Sequence, residues 1–315
     1  MVLDLQDRQQ TDSLLLLLSS KDATTRYWAA MAFASIKDKN AIDTLAQLLL
    51  HDRLDSVKIA AAYSLGQIGD TTAQRYLIAA FDTEDTTGAS FNKYVLEAIG
   101  KCGTAFFLPL MSSVTTYQAT DTALIEGQVL GIYHFMLRNI VHPSGTNRML
   151  SLVAQLQYPS SVRLVAASYL ARGQRLGLDT LIGVDSTLSA IFQQEADAEI
   201  RMALALGVGK TNTPLAKSAL LQQFNIEQDY RVKCNIIRAL RQFDYLSVRD
   251  TIFAALRDTN LHVVHTINEY LLEKGISRDA NTYRRLAQDS TFSPIVKVGL
   301  LTAANKHMPN YFYRL

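Results

Sequence analysis

Cysteine, proline and long apolar runs are all scarce in this sequence, and each scarcity removes a class of protein. Two cysteines, Cys102 and Cys234, among 315 residues build no disulfide framework, and neither has zinc-type spacing around it. Both fall inside apolar helical patterns, which predicts buried structural thiols. Six prolines and 15 glycines leave no Pro- or Gly-rich linker. No apolar run approaches the ~18 residues that a membrane span needs. The five leucines 14–18 follow Asp4, Asp7 and Asp12 rather than a basic segment, so they do not read as a signal core. The abrupt opening MVLDLQD is read as the start of a piece from which a targeting segment has been removed. Charge of one sign is also missing: the net charge is +2. Residues 1–157 carry 12 Lys+Arg against 15 Asp+Glu, and residues 158–315 carry 19 against 14, too mild an asymmetry for a general polyanion binder.

What is present is a repeat. The stretch VKIAAAYSLGQIGD (57–70) lies on TRYWAAMAFASIKD (25–38) at an offset of 32, with Ala29 on Ala61, Phe33 on Leu65, Ile36 on Ile68 and Asp38 on Asp70. The same template fits from Val162, Ile200, Val232 and Val263, and a looser copy ends at Gly103. In the opening copy Val57, Ala61, Leu65 and Ile68 form one apolar helical stripe, and Ala60 and Tyr63 add a second flank. Gly69 suits a left-handed helix stop and Asp70 an N-cap for the next helix, TTAQRYLIAAF. A helix pair cannot cover both flanks alone, so it must stack on copies of itself. The expectation is an all-α fold: a right-handed α-α superhelix of roughly nine helix pairs, one array over residues 1–315. VHPSGTNR (141–148) is the best place for a loop or a change in superhelical angle.

This Val-Arg-x-x-Ala-Ala-x-x-Leu-Gly-x-Ile-Gly-Asp pattern resembles the HEAT-like repeat, over nearly the whole chain. Several HEAT-like families are enzymes. Deoxyhypusine hydroxylases use His-Glu dipeptides as iron ligands, and none of the six histidines here precedes a glutamate. HEAT-like DNA glycosylases use a continuous basic channel, which is not visible. For phycobilin lyases no motif decides either way.

Each hint of chemistry has a plainer reading beside it. GVGKT (207–211) lacks the P-loop glycine at position 204, which is leucine, and has no strand before it. His262, His265, Glu269 and Glu273 share one helix face and are a weak metal candidate. The core seam Val263, Ile267 and Leu271 points elsewhere, so a solvated polar face is the plainer account. Arg231, Arg238 and Arg241 share an outward face. Neighbouring copies place Glu199 and Glu269 in line, so no nucleic-acid stripe continues. The atypical copy TALIEGQVLGIYHFMLRNI (122–140) carries Glu126, Gln128, Tyr133, His134 and Arg138, with Lys93, Tyr94 and Glu97 one repeat earlier. A departure from a repetitive scaffold needs a reason. These eight residues are therefore the candidate partner-binding patch.

The order of segments carries a narrower resemblance. LQDRQQTDSLLLLL (5–18), RYWAAMAFASIKD, VKIAAAYSLGQIGD, LEAIGKCGT (96–104), TTYQATDTALIEGQVLGIYHF (115–135) and IRMALALGVGKT look like the N-terminal repeat region of bacterial cyclophilin-type peptidyl-prolyl isomerases. The resemblance implies a monomeric, non-catalytic scaffold in the cell envelope that binds a protein client or docking partner, without a cofactor. Neither the arginine-bearing strand nor the Gln-Gly-Gly-Asp turn of a cyclophilin domain occurs here, so no catalytic residue is assigned. The terminal aromatics of NYFYRL (310–315) suit a missing continuation. Other outcomes left open are a stand-alone adaptor and a HEAT-like enzyme of the bilin lyase or DNA glycosylase type.

Overall fold

The computed structural model describes residues 1–81 and 90–309, so NYFYRL lies outside the described residues. Among them every regular element is helical: nineteen α-helices, with short 3-10 turns at several junctions. The residues divide into two compact units, Met1–Tyr169 with Gly173–Leu176, and Leu170–Arg172 with Gly177–Leu315. The first contains α1 (Val2–Asp7), α2 (Thr11–Leu17), α3 (Ala23–Ile36), α4 (Ile42–His51), α5 (Asp55–Ile68), α6 (Gln74–Ala80), α7 (Ser90–Cys102), α8 (Phe107–Ser113), α9 (Thr122–Leu137), α10 (Pro143–Ala154) and most of α11 (Ser160–Arg172). The second contains α12 (Val184–Gln194), α13 (Ala198–Thr211), α14 (Pro214–Ile226), α15 (Tyr230–Ala239), α16 (Tyr245–Ala255), α17 (Leu261–Lys274), α18 (Ala280–Ala287) and α19 (Pro294–His307).

The template helices stack on one another in both units. In the first, α3 packs on α5, α5 on α7 and α7 on α9, while α4 on α6 and α8 on α10 form a second layer. In the second, α13, α15, α17 and α19 form the row, with α12 on α14 behind it. Template helices take a hairpin partner from the preceding helix, as α4 with α5 and α18 with α19. The core follows the stripe: Ala29, Ala30, Phe33, Ala61, Ala62 and Leu65 are fully buried. Small residues bring the axes close enough for the buried Ser64 hydroxyl to donate to the Ala30 carbonyl at 2.7 Å. Tyr63, expected on a buried flank, is only half-buried.

The punctuation works as read from the sequence. Gly69 ends α5 at φ +75°, and the Asp70 carboxylate accepts from Thr72 N–H to start a 3-10 turn into α6. The preceding copy ends on Lys37 at φ 59°, the same left-handed conformation without glycine. The loop expected at 141–148 is shorter than that. His142 caps α10 by accepting from Ser144 N–H, and Pro143 occupies the first helical turn, where its missing N–H costs nothing. No helix among the described residues is long and apolar enough to cross a membrane.

Candidate functional site

One ion-pair device recurs between neighbouring pairs. At the second template position, Arg26 gives Nε and Nη2 to the Asp52 carboxylate at 2.6 and 3.0 Å, and Nη1 to the carbonyls of Ser20 and Lys21 at 2.9 and 3.2 Å. Arg201 repeats the arrangement with Glu227 at 3.0 and 3.0 Å and the carbonyls of Glu195 and Ala196 at 3.0 and 2.7 Å. Lys233 reaches Asp258 at 2.8 Å from the same template position. A planar guanidinium suits this role, because one fork grips the next pair while the remaining edge ties down its own loop. The Arg26 hydrogen bonds hold the Asp52 carboxyl below its ordinary range. The signal was visible in the sequence as a basic residue answered by an acid 26 positions on, for both arginines.

The eight-residue patch of the first unit is largely an internal network. Its origin is the crossing of α7 and α9, where a Cβ on Gly100 would lie 2.5 Å from Gly131 Cα and one on Gly127 would lie 2.7 Å from Lys93 Cα. With the two backbones so close, long polar side chains bridge the helices. Lys93 pairs with Glu126 at 2.7 Å, and Ser161 Oγ donates to the same carboxylate at 3.0 Å. Glu97 sits between Lys101 at 2.6 Å and His134 at 3.4 Å, and the Lys101 ammonium lies 4.8 Å from the Tyr63 ring centroid. Burial pushes the Glu97 carboxyl up, but the His134 and Lys101 hydrogen bonds outweigh it and bring the group down to about 2. Arg138 Nη1 donates to the carbonyls of Gly100 and Gly103 at 3.1 and 2.8 Å, satisfying the end of α7. Tyr94 and Tyr133 are half-buried.

Gln128 is a correction to that patch. It is 1% exposed, donates to the carbonyls of Met111 and Val114 at 2.7 Å each, and accepts from Arg148 Nε at 2.9 Å. Its face of α9 turns to the end of α8, whose unpaired carbonyls it satisfies, so it offers nothing to an external partner. Cys102 and Cys234 are free and buried, as expected. Burial pushes the Cys102 thiol up to about 12, which keeps it protonated and unreactive. Gly209 of GVGKT lies inside α13 against Ala239, far from any phosphate-loop geometry.

The second unit has a more accessible feature. An open groove of about 270 Å³ crosses α13, α15 and α17, with Tyr230, Arg231, Arg238, His262, His265 and Glu269 among its lining residues. The Tyr230 and His262 rings stack at 5.2 Å and 23°. Arg231 pairs with Asp229 at 2.8 Å and Glu199 at 3.7 Å, while Arg238 is held by Asn235 Oδ1 at 2.9 Å. Arg241 reaches Glu269 at 3.8 Å and Glu273 at 3.2 Å. Glu199 and Glu269, which interrupt the arginine stripe in sequence, are thus its ion-pair partners. His265 lies 3.8 Å from Glu269, and His262 is engaged with Tyr230. Among the described residues no group of three or more His, Cys, Asp or Glu is placed to hold a metal.

A family match and one solved structure agree with this architecture. Residues 11–89 match the family described as HEAT repeats. No curated protein matches the sequence. An engineered protein of known structure has a similar fold, with a TM-score of 0.59 and 16% identity, covering 97% of this chain and 90% of that one. Human deoxyhypusine hydroxylase in complex with glycerol matches at a TM-score of 0.37 and 16% identity over 84% and 95% of the two chains. The CpcE–CpcF complex of phycocyanin lyase from a Nostoc species matches at 0.45 and 14% over 82% and 92%. At 16% identity the likeness to the engineered protein is one of fold alone. Residues 11–89 carry the HEAT-repeat signature, and the described residues of the chain share an all-α fold with the engineered protein.

Proposed function

We propose that this chain is a protein-binding scaffold. The observation that carries the reading is the groove across α13, α15 and α17. There the template helices expose aromatic, cationic and acidic side chains side by side, whereas their apolar stripes are buried. Stacked copies multiply such a surface, and a standard interface needs only about 800 Å² per partner. Tyr230 and Arg238 are the residue types that anchor interfaces, an aromatic body and, two turns further along α15, a guanidinium without an acidic partner among the described residues.

In its finer form, the scaffold holds a client beside a cyclophilin-type prolyl isomerase domain and raises the client's local concentration. That form is supported by the order of the phrases quoted above. Reading the gene beyond Leu315 tests it: a β-rich segment with cyclophilin signatures supports it, and a stop codon removes it.

The scaffold role is tested by placing a photo-crosslinking residue at position 238 and, as a control, at position 306, in the native host. The captured partner is then titrated calorimetrically against the intact chain. Expected is a partner specific to position 238 whose affinity falls about tenfold or more in Y230A/R238E, with melting unchanged. Identical adducts at both positions, or unchanged affinity in the double variant, would overturn the reading.

A further inference from the structure

Two grooves occupy the same place in the repeat, one in each unit, and they differ in charge. The first, about 490 Å³, is lined by the loop Leu18–Lys21, by Thr44, Gln47, Leu48 and His51 of α4, and by Arg26, Asp52 and Arg53. The second, about 470 Å³, lies between the end of α14 and α16. At a sequence offset of 206, Thr44 falls on Asp250, Leu48 on Ala254, His51 on Arg257 and Asp52 on Asp258, while the template sets Arg26 on Lys233. Both are built around the inter-pair ion bridge, Arg26–Asp52 in one and Lys233–Asp258 in the other.

In the second groove every charge is answered. Lys233 pairs with Asp258 at 2.8 Å, Arg257 with Asp289 at 3.5 Å, and Asp250 with Arg249 at 3.2 Å. In the first, Asp52 is consumed by Arg26. Among the described residues no carboxylate lies within ion-pair distance of Lys21 or Arg53, which are exposed, and the imidazole of His51 stands beside them. Thr44 stands where the other groove has Asp250. This cationic surplus sits in the half of the chain that carries more acid than base, 12 Lys+Arg against 15 Asp+Glu. General composition therefore does not produce it. Ser19, Ser20, Thr44 and Gln47 add neutral hydrogen-bonding groups to the lining, with Leu18 and Leu48 beside them.

We propose that the groove between α2, α3 and α4 binds the carboxylate side chains of an acidic peptide segment. Lys21 and Arg53 supply the charge, and Arg26 keeps the Asp52 carboxylate from competing. Its volume lies in the range of sites that hold small ligands or a few side chains. This second site rests on the scaffold reading only for the class of ligand, a protein segment.

The test is fluorescence anisotropy of a labelled hexaglutamate peptide against the full chain at about 50 mM salt, where surface charge is weakly screened. Expected is binding that a hexaglutamine peptide does not show. It should weaken about tenfold or more in K21E/R53E, by an intermediate factor in K21Q/R53Q, and less than about twofold in the control R285E/K306E. The glutamine variant keeps the result readable if the charge reversal disturbs folding. Equal losses in the control, or equal binding of the glutamine peptide, would overturn the proposal. So would displacement by inorganic phosphate at about 1 mM with ionic strength held constant, which would assign the groove to a free anion. If the peptide fails to bind while position 238 still captures its partner, this inference falls and the scaffold reading stands.

Discussion

Replacing Gly100 with alanine puts the closest helix crossing of the first unit under direct stress. The new Cβ would lie 2.5 and 2.7 Å from Gly131 Cα and C, with the Gly131 carbonyl oxygen nearer still. All three are backbone atoms, so no side-chain rotation relieves the contact. Ordinary contact needs about 3.5–4 Å, so α9 must retreat from α7 by about 1 Å. That shift loosens Leu96, Ile99, Val129 and Ile132, all buried, together with the Arg138 bonds to Gly100 and Gly103. Overpacking of this kind costs about 1–3 kcal/mol, and a backbone clash belongs near the upper end. Alanine returns up to about 1 kcal/mol of helix propensity. The net expectation is a loss of about 2 kcal/mol, read as a lower urea midpoint with an unchanged slope. The comparison is Gly207→Ala in α13, whose Cβ would meet only the Leu170 side chain, at 3.3 Å, and its carbonyl carbon, at 3.8 Å; it should change stability little. A Gly100→Ala protein as stable as the parent would refute the reasoning that glycines set this crossing.

Three further expectations follow from particular contacts. Arg201→Met removes the only cation paired with Glu227 among the described residues, leaves that side chain, 2% exposed, to Gln223 and two backbone N–H groups, and should cost about 3 kcal/mol. R201M/E227Q should recover about 1–2 kcal/mol of that in a double-mutant cycle, and strict additivity would contradict the inter-pair bridge. Glu97 has a folded-state value of about 2, below its ordinary 4.5. Its contribution is therefore complete above about pH 4.5 and lost as pH falls toward about 2. Thermal melts should show the parent more stable than Glu97→Gln at neutral pH, with the gap closing in that acid window; a constant gap would contradict the ion pairs. Lys37→Gly should gain about 0.5 kcal/mol by relieving the left-handed backbone, and Gly69→Ala should lose about 1 kcal/mol, both measurable by denaturant titration.

The repeat was legible because its signals are local. The alanine stripe, Gly69 and Asp70 each act within one helix and its stop, so spacing alone placed them. The α7–α9 network was not legible in the same way. Gly100, Gly127 and Gly131 show their purpose only when two helices cross, and Gln128 reads as an exposed polar side chain until the end of α8 is brought against it. Lys93, Glu126 and Glu97 were grouped from sequence as a partner-binding patch, but the pairing of Lys93 with Glu126 and of Glu97 with His134 spans more than 30 residues. The Arg26–Asp52 bridge lies between these cases. Both residue types were in view, yet pairing them requires knowing that one hairpin and its loop separate them. Charge in the two grooves likewise becomes comparable only once the structure shows that each is built beside an inter-pair ion bridge.

The account rests on helix pairs that hide their apolar flanks only against the next pair, so damage to one pair should stay near it. Hydrogen exchange by mass spectrometry on Leu300→Ala measures this within the second unit. Leu300 is fully buried, and its truncation costs about 2–5 kcal/mol. Faster exchange confined to α17, α18 and α19, with α12–α14 still protected, is the predicted result. Equal loss of protection across α12–α14 would show one shared interior in place of stacked repeats.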